Sequence, residues 1–304
     1  MPGHLIVILN AASGAGNKEQ IARRLVELFR AHDAEATVML ARGGAEIIEM
    51  ARRAVLDQPQ AIVAGGGDGT INAVASTLVG TNIALGVLPL GTLNHFARDL
   101  GIPADIGEAT RIIVAGHVIA VDVGEVNERI FVNNSSLGLY PSLVRRREKQ
   151  QQKLGRGKWP AFAWAALTVL RRYAFMRVHL SANGNQIMRR TPFVFVGNNQ
   201  YEMEGFHIGG RECLNRGQLC LFMPHHGGRL GLLRLALRAL CRRLRGAKDF
   251  DELVAKTILI ETHHQHLNVA IDGEVTRMDT PLRYRVRPGA LRVIVPSGRN
   301  TGGE

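Results

Sequence analysis

The chain has 304 residues, twice the ~150 of a typical domain, so two domains are expected. Hydrophobic residues at 46% and charged residues at 21% exclude a disordered chain, and 38 Lys and Arg against 26 Asp and Glu leave a net charge of +12. That excess favours an anionic partner (a nucleotide, a phosphorylated substrate or an acidic membrane face), whereas 5% aromatic residues argue against a base-stacking nucleic-acid surface.

The N-terminal run MPGHLIVILN has no basic leader and only five successive apolar residues, which suits a first buried strand rather than a signal peptide. Strand-like Leu5–Leu9 is followed by helical spacing over Glu19–Ala31, a strand at Ala36–Leu40 and a helix at Glu46–Leu56. The alternation continues with strand Ala61–Ala64, helix Ile71–Leu78, strand Ile83–Leu88 and helix Leu93–Leu100. Such alternation predicts a parallel sheet covered by helices on both faces, with ligands bound beyond the carboxyl ends of its strands. From Val118 the pattern becomes many short strands with turn dipeptides at Asn183-Gly184 and Asp272-Gly273, which predicts an antiparallel β-sandwich. The expected architecture is therefore an α/β domain over 1–121 and a sandwich over 122–304, with the extreme C terminus free to return to the first domain.

Two stretches interrupt the strands. Arg145–Tyr173 is basic and then apolar, and Arg229–Arg245 reads as a basic amphipathic helix. The longest nearly apolar stretch, Trp159 to Leu170, falls short of the about 20 residues that a spanning helix needs. Three cysteines, Cys213, Cys220 and Cys241, lack CxxC spacing and fit a reducing compartment rather than a disulfide framework or zinc knuckle.

The strongest chemical signal is Gly65-Gly66-Gly67-Asp68-Gly69-Thr70 between a strand and a helix. Bare backbone lets a ligand approach, and the free amides of the loop and helix form an anion cradle. A carboxylate inside that cradle, Asp68, is costly beside phosphates unless a metal or a proton transfer uses it. Gly69-Thr70-Ile71-Asn72 has a twin in Gly91-Thr92-Leu93-Asn94, and each Thr is placed to cap its helix. A third loop starts at Asn10. Far along the chain, Asp272-Gly273-Glu274 reads either as a plain β-turn or, at an interdomain cleft, as the carrier of a general base, Glu274. Ala97-Arg98-Asp99-Leu100 lacks the His and the Asp-Phe-Gly of a protein kinase, and Gly155–Lys158 is no Walker A loop. Alternation in one strand would put His264 and His266 on a shared face, without a third metal ligand.

Gly66-Gly67-Asp68-Gly69-Thr70, Pro89-Leu90-Gly91-Thr92-Leu93-Asn94-His95-Phe96-Ala97-Arg98 and Asp272-Gly273-Glu274 with Thr280-Pro281-Leu282 together resemble the diacylglycerol-kinase catalytic family. The soluble bacterial lipid-kinase branch, related to sphingosine kinases and more distantly to NAD kinases, is the nearest likeness, and it covers nearly the whole chain. The resemblance implies ATP bound between the two domains and transfer of its γ-phosphoryl to a lipid hydroxyl with magnesium. It implies a nucleotide site of Asn10, Gly65, Gly66, Gly67, Gly69, Thr70, Asn72 and Thr92. Glu274 becomes the base, and Asp68 sits near the phosphates and the catalytic Mg2+. Asn94, Arg98, Asp122 and Asp272 support the site. The chain departs from the family with Ala11 for Pro and His95 for Asp. Its Asn215-Arg216-Gly217 replaces an Asp-Asp-Gly turn, so a structural magnesium held there in several members is expected to be lost at Arg216, because an Arg cannot ligate a cation.

The expected partners are a membrane lipid and an anionic membrane surface reached through the basic segments 145–164 and 229–245, with no nucleic acid. The expected setting is cytoplasmic and peripheral to the membrane, and a homodimer is left open. NAD kinase and a non-catalytic nucleotide-binding regulator are the alternatives.

Overall fold

A computed structural model describes residues 4–12, 17–138, 175–201, 203–204, 207–208, 210–211, 213–224 and 250–298. The N-terminal half runs β1 (Leu5–Asn10), α1 (Lys18–Ala31), β2 (Ala36–Ala41), α2 (Gly44–Leu56), β3 (Ala61–Gly66), α3 (Asp68–Leu78), β4 (Ala84–Pro89), α4 (His95–Asp99) and α5 (Ile106–Ala115). β2, β1, β3 and β4 lie side by side in parallel. β3 and β4 are buried along their whole length, as strands sandwiched between helices must be. Local signals set the helix ends. Asn17 caps α1 by accepting from the amides of Glu19 and Gln20, and α5 runs from an Asp105 cap to a left-handed Gly116. The stripe of Leu25 and Phe29 on α1 is fully buried, each such side chain contributing about 1.5–3 kcal/mol.

The second half contains β5 (Val118–Val126), β6 (Arg129–Phe131), β7 (Asn134–Gly138), β8 (Met176–Ala182), β9 (Asn185–Thr191), β10 (Phe193–Asn198), β11 (Met203–Glu204), β12 (His207–Ile208) and β13 (Leu219–Pro224). It continues through β14 (Phe250–Ala255), β15 (Thr257–Glu261), β16 (His266–Ile271), β17 (Glu274–Asp279) and β18 (Leu282–Ile294). β14-β13-β10-β7-β16-β17 form an antiparallel sheet, which packs on β8, β15 and β18 through Leu137, Val194, Val269, Val178, Ile260 and Tyr284. The expected α/β half and antiparallel sandwich are both present.

One sheet nonetheless runs through both halves. Its order is β2-β1-β3-β4-β18-β15-β8-β9, with β5 paired to β18 and β6 to β5. β18 is a single strand of 13 residues rather than two, bulged between Arg287 and Leu291 around Pro288 and Gly289. Its far end lies parallel to β4, Val293 opposite Leu85. Asp122 holds this bulge: buried, it accepts from the amides of Gly289 (2.9 Å) and Gly217 (2.6 Å) and from Asn199 Nδ2 (3.1 Å).

Other differences from the sequence reading are local. α4 is one turn, not the eight-residue helix expected. His264 lies outside any strand, between β15 and β16, and His266 pairs instead with Asp279 (Nδ1 to Oδ1 2.5 Å). The segments 145–164 and 229–245 fall outside the described residues, as does Cys241. No helix among the described residues is long and apolar enough to cross a membrane.

Candidate active site

The glycine loop closes β3 and opens α3. Gly67 is the N-cap in an extended conformation (φ −87°, ψ −176°), and no cap side chain covers the first-turn amides of α3. Those amides and the positive end of the helix suit an anion. The reason for the glycines differs from the sequence expectation. A Cβ on Gly65 would overlap Leu9, and one on Gly66 would overlap Thr70, so these two serve the protein's own packing. Gly67 has room for a Cβ, with Gly91 Cα at 3.5 Å. A Cβ on Gly91 would overlap Gly67 and come within 2.7 Å of Asn94 Oδ1. The two motif loops thus touch backbone to backbone.

Neither threonine is a cap. Thr70 lies inside α3, buried, and its hydroxyl accepts from Asn10 Nδ2 at 3.0 Å. Thr92 precedes α4 and is exposed. The N-cap of α4 is Asn94, left-handed at φ 48°, whose side chain closes its own loop: Oδ1 accepts from Gly91 N (3.0 Å) and Nδ2 donates to the carbonyls of Gly91 (2.9 Å) and Pro89 (3.2 Å). The first amides of α4 are satisfied from outside by Asp68. Its Oδ2 accepts from His95 N and its Oδ1 from Phe96 N, both at 3.1 Å. Asp68 therefore locks the second loop onto the first.

The third element arrives from the other half of the chain. Asp272 (φ 45°) and Gly273 (φ 90°) turn β16 into β17. The Asp272 carboxylate accepts from three successive amides, Val132 at 2.8 Å and Asn133 and Asn134 at 2.9 Å. Burial pushes its carboxyl up to about 6, against the pull of those amides and of Arg211. The turn, so held, delivers Glu274 to the glycine loop: Glu274 Oε1 stands 3.0 Å from where a Gly69 Cβ would be. Glu274 and Gly69 line a cleft of about 450 Å³ with Asn72, Arg52, Arg129 and Ile130. Asn72 donates weakly to Ile130 O (3.4 Å), and its Oδ1 is buried without a partner. Asp68 precedes Gly69 in the chain, but its carboxylate is turned to the amides of His95 and Phe96. Of the expected site residues, Gly69, Asn72 and Glu274 line this cleft, whereas Asp68, Asn10, Gly65, Gly66, Gly67, Thr70, Thr92, Asn94, Arg98, Asp122 and Asp272 do not.

Four residues that join the parts carried no sequence signal. Asp99, inside the stretch set aside as a false kinase loop, is buried at 7% side-chain exposure and pairs with Arg211 at 0% (Nε to Oδ2 2.7 Å), whereas its neighbour Arg98 is exposed. Arg211 also donates to Val132 O (2.6 Å), Asn198 O (3.0 Å) and Asn133 Oδ1 (2.9 Å). With its oxygen committed to Arg211, the Asn133 amide turns its Nδ2 toward Asp68 Oδ1 at 3.4 Å. Asn133 thereby touches Asp68 with its side chain and Asp272 with its backbone. Tyr201 donates to Asn133 O at 2.9 Å, and burial raises its hydroxyl pKa.

Comparison with known proteins follows the same division. Residues 4–126 match the diacylglycerol kinase catalytic domain, and residues 142–295 match the YegS C-terminal NAD kinase beta sandwich-like domain. The chain belongs to this YegS-type family. Relatives include a "Probable lipid kinase YegS-like" protein of Klebsiella pneumoniae strain 342, 36% identical over 136 residues (44% of this chain and 45% of the relative). Another of the same name from Citrobacter koseri is 33% identical over 159 residues, 50% of this chain and 51% of that one. The chain spans about half the length of these curated relatives. The YegS-type fold is also that of a solved "diacylglycerol kinases" structure from Bacillus anthracis str. Sterne, with TM-score 0.70, 21% identity and 97% of both chains covered. A second structure from that organism has TM-score 0.76 at 22% identity, over 98% of this chain and 97% of that one.

Proposed function

We propose that this chain is an ATP-dependent lipid kinase that transfers the γ-phosphoryl of ATP to a hydroxyl of a membrane lipid of diacylglycerol type. The observation that carries the proposal is the meeting of Glu274 with Gly69 at the uncapped N-terminus of α3. The family and the relatives' names support the same reading.

In this mechanism the amides at the start of α3 hold the triphosphate. Glu274 takes the proton of the acceptor hydroxyl as that oxygen bonds to the γ-phosphorus. The bond from the γ-phosphorus to the β–γ bridging oxygen breaks, and ADP leaves with the electron pair. Phosphoryl transfer asks the protein mainly for position and charge stabilisation, which the Asp68 lock and the Asp272 turn provide. A magnesium ion would be held chiefly by the phosphate oxygens near the Asp68 carboxylate, an oxygen donor of the kind that ion takes, and would supply neutralisation of phosphate charge. At the second, structural position Arg216 reaches Gln200 Oε1 (3.3 Å) and its amide donates to Asn199 Oδ1 (3.1 Å). We propose that no metal binds at that turn. The setting is the cytoplasm, peripheral to the membrane.

The test is transfer of label from ATP to a panel of lipid fractions and to NAD. Glu274→Gln should lower kcat by about 10²–10⁴-fold with little change in ATP affinity. Label on NAD alone, transfer to neither, or near-full turnover of the variant would overturn the reading.

A further inference from the structure

The described strands expose one strongly basic face. β18, β15 and β8 alternate inward and outward positions, and the edge strand β9 is open along most of its length. Outward lie Arg283, Arg285 and Arg287 on β18, Arg177 on β8, and Arg190 and Met188 on β9. Strand register places them on one surface: Arg283 opposes Leu259, Leu259 opposes Ser181, and Arg177 opposes Arg190. The face begins beside the end of α3, where Arg287 approaches Gly80. Its acids are fewer. Glu125 is buried and bound to Arg285 (2.7 Å), and Glu261 stands on β15. Met188 is 65% exposed, one of three large apolar side chains so open among the described residues.

A second cleft, of about 720 Å³, opens on this face between Arg283, Arg285, Thr257 and Ser181. At its far end Asp279 and Glu128 form an acidic rim, and Glu128 also lines the cleft that holds Glu274. Glu128 is thus common to both clefts, and its neighbour Asn127 lines the second. The turn at these two residues is pinned by Asn127, which donates to Asp279 O (2.9 Å) and accepts from Arg283 N (2.8 Å).

We propose that this strand face is the surface on which the protein docks to an anionic bilayer, with the second cleft admitting a lipid headgroup toward Glu274. Long arginines spread over a flat apolar-stemmed surface suit lipid phosphates, and an exposed Met can enter the interface. A nucleic-acid partner is disfavoured because the outward positions within these strands carry no aromatic side chain for stacking, and the ring of Phe175, just before β8, already lies under the Arg190 guanidinium (5.4 Å to the centroid). The proposal rests on a membrane lipid being the acceptor, but docking itself requires neither ATP nor turnover.

The test is co-sedimentation of the full chain with phosphatidylcholine vesicles containing phosphatidylglycerol, over a salt series. Each arginine near an anionic surface is worth about fivefold in partition. Arg177→Gln with Arg190→Gln should therefore weaken vesicle binding roughly thirtyfold at low salt, and high salt should release the unmodified chain. The same double variant should keep its turnover on a water-soluble short-chain acceptor, and Glu274→Gln should bind vesicles normally. The proposal is overturned if the double variant binds vesicles like the parent, or if only neutralising Arg145, Arg146 and Arg147 releases the chain. It is equally overturned if the double variant changes the oligomeric state in sedimentation velocity, which would make the face a contact between copies. Vesicle binding that survives in a chain with no kinase activity would leave docking standing while the proposed reaction fails.

Discussion

Replacing Arg211 by Met tests the joint between the two halves most sharply. The substitution keeps the length and the apolar stem but removes every side-chain donor. Asp99 then loses its 2.7 Å bond to the Arg211 guanidinium and keeps the longer one from the Arg211 amide (3.3 Å); breaking a buried ion pair by removing one partner costs about 3–5 kcal/mol. Val132 O, Asn198 O and Asn133 Oδ1 also lose their Arg211 donors, at about 1 kcal/mol or more apiece, not additively. A total of about 5 kcal/mol is a large part of the roughly 5–15 kcal/mol that stabilises a domain, and at about 2 °C per kcal/mol for a chain of this size it lowers Tm by roughly 10 °C. Asp99→Leu combined with Arg211→Met removes the buried carboxylate as well and should recover about half of that loss. Calorimetry or a dye-reported melt of the four proteins completes the cycle. A single-variant shift below about 2 °C, or a double variant no better than Arg211→Met, would refute the claim that this pair is a desolvated charge pair.

Two further outcomes follow from the site. Gly67→Ala should fold normally, because its Cβ finds only Gly91 Cα at 3.5 Å, whereas Gly91→Ala drives a Cβ into Gly67 backbone and should cost about 1–3 kcal/mol of overpacking, read in parallel denaturant melts; equal midpoints for the two would contradict the backbone contact between the loops. Asp272, raised to about 6 in the folded chain, binds its proton more tightly folded than unfolded. Its contribution to stability is therefore present at low pH and lost as pH rises through about 6. The parent should gain stability relative to Asp272→Asn as pH falls from about 7 to 4.5, and a difference flat with pH would show the carboxyl to be unshifted.

The parallel half was legible because its strands are continuous apolar runs and its helices keep a clear stripe, as in Leu5–Leu9 and Leu25 with Phe29. The Asp272-Gly273 turn was legible because its left-handed backbone favours those residue types, and the glycine loop because Leu9 and Thr70 pack where side chains on Gly65 and Gly66 would stand. Elements without such patterns escaped. α5 starts just after Pro103 and contains Gly107; β7 is Asn-Ser-Ser-Leu-Gly, buried by its neighbours rather than by its own hydrophobicity; β14 mixes acids, and β17 acids and an arginine, with apolar residues. In the site, Glu274 stood at a recognisable turn, but Asp99 and Arg211 lie 112 positions apart, and nothing local distinguishes a buried Asp99 from an exposed Arg98. Such pairs are decided by tertiary packing, which one sequence does not display.

The placement of β18 beside β4 bears on synthesis. As the chain leaves the ribosome, β4 waits with an open edge for nearly two hundred residues before its parallel neighbour emerges. Until then the nascent N-terminal half presents an unpaired parallel strand, the kind of edge that invites wrong partners. Cells making this protein should lean on a holding chaperone over that interval, and a chain cut before residue 282 should aggregate through β4 rather than persist as a tidy N-terminal fragment.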